Sequence, residues 1–232
     1  MSDVRLFTRY RIAPAPQPLG EALARRLATI DTSTLGHAVP WYLMSHRLKA
    51  VQRGHRVVGT AVTLSIPGAD STLLHHALGQ LRPGDLLVID RLGDTRHACW
   101  GGIVTAAAQR AGAAGAVIDG PCTDLDEITA SGFPLWCTGT SPVTTRLLDW
   151  GGSLNRPVAC GGLVVQAGDA VVADADGVMV LPRAEAEALA AWAEGMQDFA
   201  GSLRRQVLEG QALGELSGAS ALGRRSLDAD GA

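Results

Sequence analysis

The chain of 232 residues contains a single lysine, Lys49, against nineteen arginines, so chemistry that needs a side-chain amine has one candidate. Aromatic residues are scarce at 4%, and no run approaches the roughly 18 consecutive apolar residues of a membrane helix. The first twenty residues also lack the continuous apolar stretch of a secretory signal, which leads to the expectation of a cytoplasmic protein with no membrane partner. No basic excess is present: the net charge is −3, and direct nucleic-acid binding, which needs clustered Lys and Arg for counterion release, is not expected. The cysteines, Cys99, Cys122, Cys137 and Cys160, form no CxxC or CxxH pair, so structural zinc and a disulfide framework are both poor readings and each reads as a small core hydrophobe. HExxH and GxGxxG are missing as well, which removes the usual signals for a zinc hydrolase and for a nucleotide or S-adenosylmethionine loop.

A composition of 47% hydrophobic and 19% charged residues supports one sizeable core, read as a single domain over residues 1–216 with a flexible tail at 217–232. Gly20–Ile30 has helical spacing of Leu23, Leu27 and Ile30. Arg56–Ile66 is a β-branched strand stopped by Pro67-Gly68, followed by a helix through Leu81 that Asp70 or Ser71 can cap. The apolar runs Asp85–Asp90 and Ala116–Asp119 read as strands covered on both faces, with a helix over Gly101–Ala111 between them. Asp124–Ser131 reads as a short helix, Pro134–Cys137 as a strand and Pro142–Trp150 as a helical turn or two. Beyond Gly151 the pattern turns to β, with strands over Val158–Val165, Ala170–Ala173 and Gly177–Leu181 before a long helix opened by Pro182 and running to about Glu209.

Chemistry concentrates between Gly84 and Glu127. Gly101-Gly102 opens a helix, so the amides of Gly102, Ile103 and Val104 form a candidate anion cradle for a substrate carboxylate. The following strand ends at Asp119-Gly120, and Pro121–Asp124 leaves its carboxyl end, where open α/β sheets bind ligands. Asp124, Asp126 and Glu127 place three carboxylates within four residues, which is equally the pattern of an N-cap and an acidic first helical turn. His37, His75 and His97 all lie near element ends and are candidate proton donors. His97 comes first because it shares a loop with the cradle.

Gly84-Asp85 with its apolar strand, Trp100-Gly101-Gly102, the run AGAAGAVIDG leading into Thr123-Asp124-Leu125-Asp126-Glu127, and GDAVVADADGVMVLP at residues 168–182 together resemble the RraA-like family over about residues 30 to 185. That family includes 4-hydroxy-4-methyl-2-oxoglutarate aldolases and the regulator of ribonuclease E activity. The resemblance implies an α/β fold, a compact αββα sandwich of the swivelling β/β/α type with a long C-terminal helix, assembled as a homotrimer or hexamer with sites between subunits. Its aldolases carry Asp, twenty residues, then Arg-Asp; here Gly102, Thr123 and Asp124 stand at those places with the spacing intact. The resemblance implies Asp124 as anchor for a divalent metal, Mg²⁺ or Mn²⁺, while the proton-transferring Asp and the carboxylate-binding Arg are replaced by Gly102 and Thr123. Thr cannot reproduce the two-pronged grip of a guanidinium on a carboxylate, so either Arg96 or Arg91 takes that part, with Thr123 supplying a neutral hydrogen bond, or the substrate carries less negative charge. The implied activity is a metal-dependent lyase cleaving or decarboxylating a small 2-oxo or hydroxy acid through an enolate. The alternative is a non-catalytic binding or regulatory protein on the same scaffold.

Overall fold

A computed structural model describes residues 9–229, with side chains placed as far as residue 225. In chain order the strands and α-helices are β1 Tyr10–Ile12, α1 Glu21–Leu27, α2 Thr32–Ala38, β2 Lys49–Ala50, β3 Val57–Ser65, α3 Thr72–Leu78, β4 Asp85–Asp90, α4 Gly102–Arg110, β5 Gly115–Ile118, β6 Pro121–Cys122, α5 Leu125–Ser131, β7 Leu135–Cys137 and β8 Gly139–Thr140. They continue as β9 Gly152–Leu154, β10 Val158–Cys160, β11 Leu163–Val165, β12 Ala170–Ala173, β13 Val178–Leu181, α6 Ala186–Leu208, α7 Leu213–Leu216 and α8 Ala219–Ala229.

Among the described residues the main sheet has nine strands, and its centre is the parallel run β3-β4-β5-β7. Parallel neighbours require a crossover, and α3, α4 and α5 provide one each. β3 is paired along its first half with antiparallel β12 and near its end with β9. Side chains alternate across the sheet with the two-residue period of a strand. Leu87, Ile89, Ala116, Ile118, Leu135 and Cys137 enter one core with residues of α3, α4 and α5, while Leu86, Val88, Val117 and Trp136 enter a second core with residues of β10 to β13. Both faces are therefore covered, which is why these strands read as unbroken apolar runs.

The described chain forms two compact units, Met1–Ala190 and Ala191–Ala232. The second is helical, with α7 and α8 joined by the Arg224–Glu215 ion pair at 2.9 Å. Residues 219–229 are thus a helix where the sequence suggests a tail without periodicity; Ala, Leu and Arg, all good helix formers, dominate that stretch. Residues 230–232, the end of that tail, lie outside the described residues.

Two local expectations change. Val158–Val165 is a hairpin, β10 and β11 paired antiparallel, because Gly161 and Gly162 both take positive φ and turn the chain. Residues 142–150 are extended rather than helical: Pro142 and the β-branched Val143, Thr144 and Thr145 do not propagate a helix, and the backbone bonds outward instead. Ala98 donates to the Val143 carbonyl at 2.8 Å, Arg146 donates to that of Ala69 at 2.8 Å, and Ser71 donates to that of Arg146 at 2.9 Å. Asp70 is buried below this segment, accepting from the amides of Thr72, Leu148 and Trp150 at 2.8–3.0 Å and from the Thr72 hydroxyl at 2.6 Å.

Candidate functional site

The loop from Ala98 to Gly101 is held on both sides. Trp100 is fully buried, stacks on Phe133 with centroids 5.7 Å apart, and donates its indole N–H to the Thr105 hydroxyl at 2.8 Å. Its carbonyl accepts the Thr123 amide at 2.8 Å, which ties the loop before α4 to the loop before α5. These bonds bring together Gly101, Gly102, Thr123 and Asp124.

Asp124 sits at φ 53°, ψ 45°, a left-handed conformation uncommon for a residue with a side chain, and its carboxylate does not cap α5. Its Oδ2 instead accepts the Gly102 amide at 3.0 Å, at the start of α4, and Oδ1 stands 3.4 Å from the Thr123 hydroxyl. The carboxylate in the expected cradle is thus the protein's own. It is stabilised there by the partial positive charge of the α4 N-terminus, and its other oxygen remains for a ligand. Neither glycine tolerates a side chain in this arrangement. A Cβ on Gly101 would lie 2.5 Å from Asp124 Oδ2, and a Cβ on Gly102 would overlap the Glu127 carboxyl group.

Glu127 stands in the sequence as one of three clustered carboxylates, not singled out from Asp126 by its place in that cluster. Its carboxylate occupies the space into which a side chain at 102 would project, one turn of α5 beyond Asp124. The signal available in the sequence was the combination of Gly102 with a carboxylate three residues after Asp124.

A cavity of about 220 Å³ opens beside Asp124, lined also by Gly101, Ile103, Val104, Thr123, His75 and Arg146. Of the residues expected at the site, Gly101, Ile103, Val104, Thr123, Asp124 and the candidate histidine His75 line it. Gly102, Arg96 and His97 do not. Asp94 holds this pair away: its Oδ1 accepts their amides at 2.8 and 2.7 Å, and its Oδ2 meets His97 Nδ1 at 2.7 Å. Burial works against the Asp94 carboxylate, yet the His97 amide and ring and the Arg96 amide hold it below its ordinary range. Arg91 is fully buried, with one guanidinium nitrogen shared between the carbonyls of Gly68 and His97. Arg146 is the arginine among the lining residues, and His75 the histidine. Lys49 lines a different cavity, beside Cys137.

Among the described residues no group of three His, Cys, Asp or Glu side chains is arranged to hold a metal by itself. Carboxylate oxygens such as those of Asp124 and Glu127 suit a hard ion that keeps most of its water, as Mg²⁺ and Mn²⁺ do, and not a closed zinc site.

The sequence profile of the RraA-like family, described as Aldolase/RraA, matches residues 33–180. A protein of Halalkalibacterium halodurans provisionally named a 4-hydroxy-4-methyl-2-oxoglutarate aldolase is 34% identical over 160 residues, covering 68% of this chain and 76% of that protein. The crystal structure of Streptomyces coelicolor RraAS2, described as an unusual member of the RNase ES inhibitor RraA protein family, superposes with a TM-score of 0.73 at 29% identity, over 83% of this chain and 98% of that one. A Geobacillus kaustophilus structure titled S-adenosylmethionine:2-dimethylmenaquinone methyltransferase also superposes, with a TM-score of 0.61 at 28% identity over 66% of this chain and 96% of that one. The fold is the mixed α/β architecture of RraA proteins with a long C-terminal helix, and no helix among the described residues is long and apolar enough to cross a membrane. The chain belongs to the RraA-like family.

Proposed function

We propose that the chain is a divalent-metal-dependent lyase that cleaves or decarboxylates a small 2-oxo or hydroxy carboxylic acid in the cavity beside Asp124. The observation that carries this reading is the Asp124 carboxylate held at the start of α4 on the lining of a cavity that Arg146 and His75 also line, with the Glu127 carboxyl group beside Gly102. Asp124 and Glu127 would hold Mg²⁺ or Mn²⁺, and when bound the ion supplies Lewis-acid polarisation of a 2-oxo carboxylate. Glu127 takes over, from α5, the carboxylate that the family's aldolases carry at position 102.

The chain's own residues divide the remaining work. Arg146 grips the substrate carboxylate with the permanent, two-pronged charge that Thr123 lacks. Its backbone is fixed through Ala69 and Ser71, so the side chain starts from a defined place on the lining. The Thr123 hydroxyl donates a neutral hydrogen bond to a substrate oxygen, and the amides of Ile103 and Val104 favour negative charge at the helix start. His75 is placed to hold or deliver the proton at its imidazole nitrogen, since it stands on the cavity wall. His97, paired with Asp94, positions the loop leading to Gly101. Assembly as a homotrimer or hexamer would close the exposed side of this cavity, and the small-molecule acid rather than nucleic acid is the partner.

A non-catalytic regulator on the same scaffold is favoured by one observation, the loss of both the family's Asp and its Arg at Gly102 and Thr123. Mn²⁺ binding followed by electron paramagnetic resonance separates the two readings. A lyase binds the ion, loses it in Asp124→Ala, and binds about tenfold more weakly in Glu127→Gln; a regulator shows the same Mn²⁺ signal in all three proteins.

A further inference from the structure

Cys122 and Cys137 are fifteen residues apart in sequence, yet their sulfur atoms stand 3.6 Å from each other, both thiols being free and buried. Cys122 ends β6 immediately before Thr123 and Asp124, and Cys137 ends β7. Cys137 is not sealed off: it lines a cavity of about 170 Å³ together with Lys49, Thr138 and Thr140. Lys49, the sole lysine, is its cross-strand partner in the β2–β7 register and lines the same cavity. We infer that Cys122 and Cys137 form a redox-active pair, a dithiol that hydrogen peroxide closes to a disulfide beneath the loop carrying Thr123 and Asp124.

Cys137 is the attacking thiol. Cys137 lines the cavity and Cys122 does not, and the hydrogen-bonded contact with the Cys122 sulfur holds the Cys137 thiol below its ordinary range against the effect of burial, whereas burial pushes Cys99 up to about 11 and Cys160 well up. The Cys137 sulfur attacks one peroxide oxygen, the O–O bond breaks, and the departing hydroxide takes the proton that Cys137 released, leaving water and a sulfenic acid. The Cys122 sulfur then displaces the sulfenic oxygen, which leaves as water with the Cys122 proton. Two electrons pass from the two thiols to one peroxide, and a dithiol reductant reverses the change.

Closure from 3.6 Å to the roughly 2.05 Å of an S–S bond brings Cys122 at the end of β6 closer to Cys137 at the end of β7. Cys122 is tied to the site on both sides: its carbonyl accepts the Ser141 amide at 2.9 Å, and the next amide, of Thr123, bonds the Trp100 carbonyl at 2.8 Å. Displacement of β6 therefore reaches Thr123 and Asp124, and oxidation is expected to weaken Mn²⁺ binding at Asp124. The redox pair itself stands apart from the lyase reading, because its chemistry can be read without any substrate.

The test is titration of the full chain with hydrogen peroxide, counting free thiols after denaturation and mapping them by mass spectrometry. Both cysteines fall in one tryptic peptide, residues 111–146, so cleavage before aspartate is needed to separate residues 119–123 from residues 126–148. The expected result is loss of two of the four thiols, a mass decrease of about 2 Da, a linkage between those two peptides, and full reversal by dithiothreitol. Cys122→Ser should stop at a dimedone-reactive sulfenic acid on Cys137, and Cys137 should react about tenfold faster than Cys99 or Cys160. Oxidation of Cys99 or Cys160 at an equal rate, or passage of wild-type Cys137 to higher oxides without the linked peptides, would overturn the proposal.

Discussion

Restoring the aldolase-type carboxylate at position 102 tests whether Glu127 has taken its place. In Gly102→Asp the new Cβ cannot coexist with the Glu127 carboxyl group where it now lies, so Glu127, which is exposed, must swing outward. The variant then carries three carboxylates around one helix start. Two charges about 5 Å apart interact by roughly 1 kcal/mol at water-like screening and by about 3 kcal/mol at an effective dielectric constant near 20. Exposure places the repulsion toward the lower figure, about 1 kcal/mol. Glycine replacement also raises helix propensity, and a negative charge at a helix N-terminus is favourable by about 0.5 kcal/mol, but both gains are present whether or not Glu127 is. A double-mutant cycle of Gly102→Asp with Glu127→Gln isolates the contact: urea unfolding without metal should give a coupling of about 1 kcal/mol, the double variant being more stable than the sum of the single effects predicts. Mn²⁺ binding should show the complementary pattern, weaker in Glu127→Gln and recovered to within about threefold of wild type in the double variant. Strict additivity in both measurements would refute the claim that the two positions serve one place in the site.

Other consequences are equally direct. Arg146→Ala should raise KM for a 2-oxo acid about tenfold or more with a smaller change in kcat, and Arg146→Lys should restore only part of it, because a point charge replaces a fork. Asp70 is depressed in pKa: burial opposes its ionisation, but the Thr72 hydroxyl and the amides of Leu148, Thr72 and Trp150 more than compensate. A carboxylate with a lowered folded-state pKa contributes stability above its unfolded value, near 3.9, and loses it as pH falls through the folded value. Asp70→Asn should thus cost about 1–3 kcal/mol at neutral pH, with the gap to wild type narrowing below about pH 4 in chemical denaturation. Lys49 lines the cavity of Cys137 rather than that of Asp124, so Lys49→Ala should retain lyase activity, and borohydride with substrate should trap no adduct.

The parts of the fold legible in the sequence are those where local pattern and tertiary environment agree. Asp85–Asp90 and Gly115–Ile118 are apolar on both faces because both faces are buried, and Gly101-Gly102 marks a helix start because the backbone there must pass close to Asp124 and Glu127. Residues 142–150 were not legible, since their hydrogen bonds run to Ala98, Ala69 and Ser71, far away in sequence. The same reason hid one member of the candidate site, Arg146, which reaches the cavity only through that segment. Among the candidate histidines the sequence ranks His97 first by closeness in the chain, yet His97 is turned to Asp94 and it is His75, on α3, that lines the cavity. The Cys122–Cys137 contact is likewise a product of tertiary pairing, since β6 pairs with β8, the strand that directly follows β7, and it is invisible to a search for CxxC.

The central claim is that a divalent ion at Asp124 and Glu127 makes this chain a lyase, and pyruvate release is its most direct measure. Oxaloacetate and 4-hydroxy-2-oxo acids should be assayed with saturating Mn²⁺, with Mg²⁺ and with EDTA, for wild type and for Asp124→Ala in parallel. The account predicts turnover with either ion, its abolition by EDTA, and a loss of at least about a hundredfold in Asp124→Ala. Turnover that persists in EDTA, or an Asp124→Ala variant as active as wild type, would contradict it.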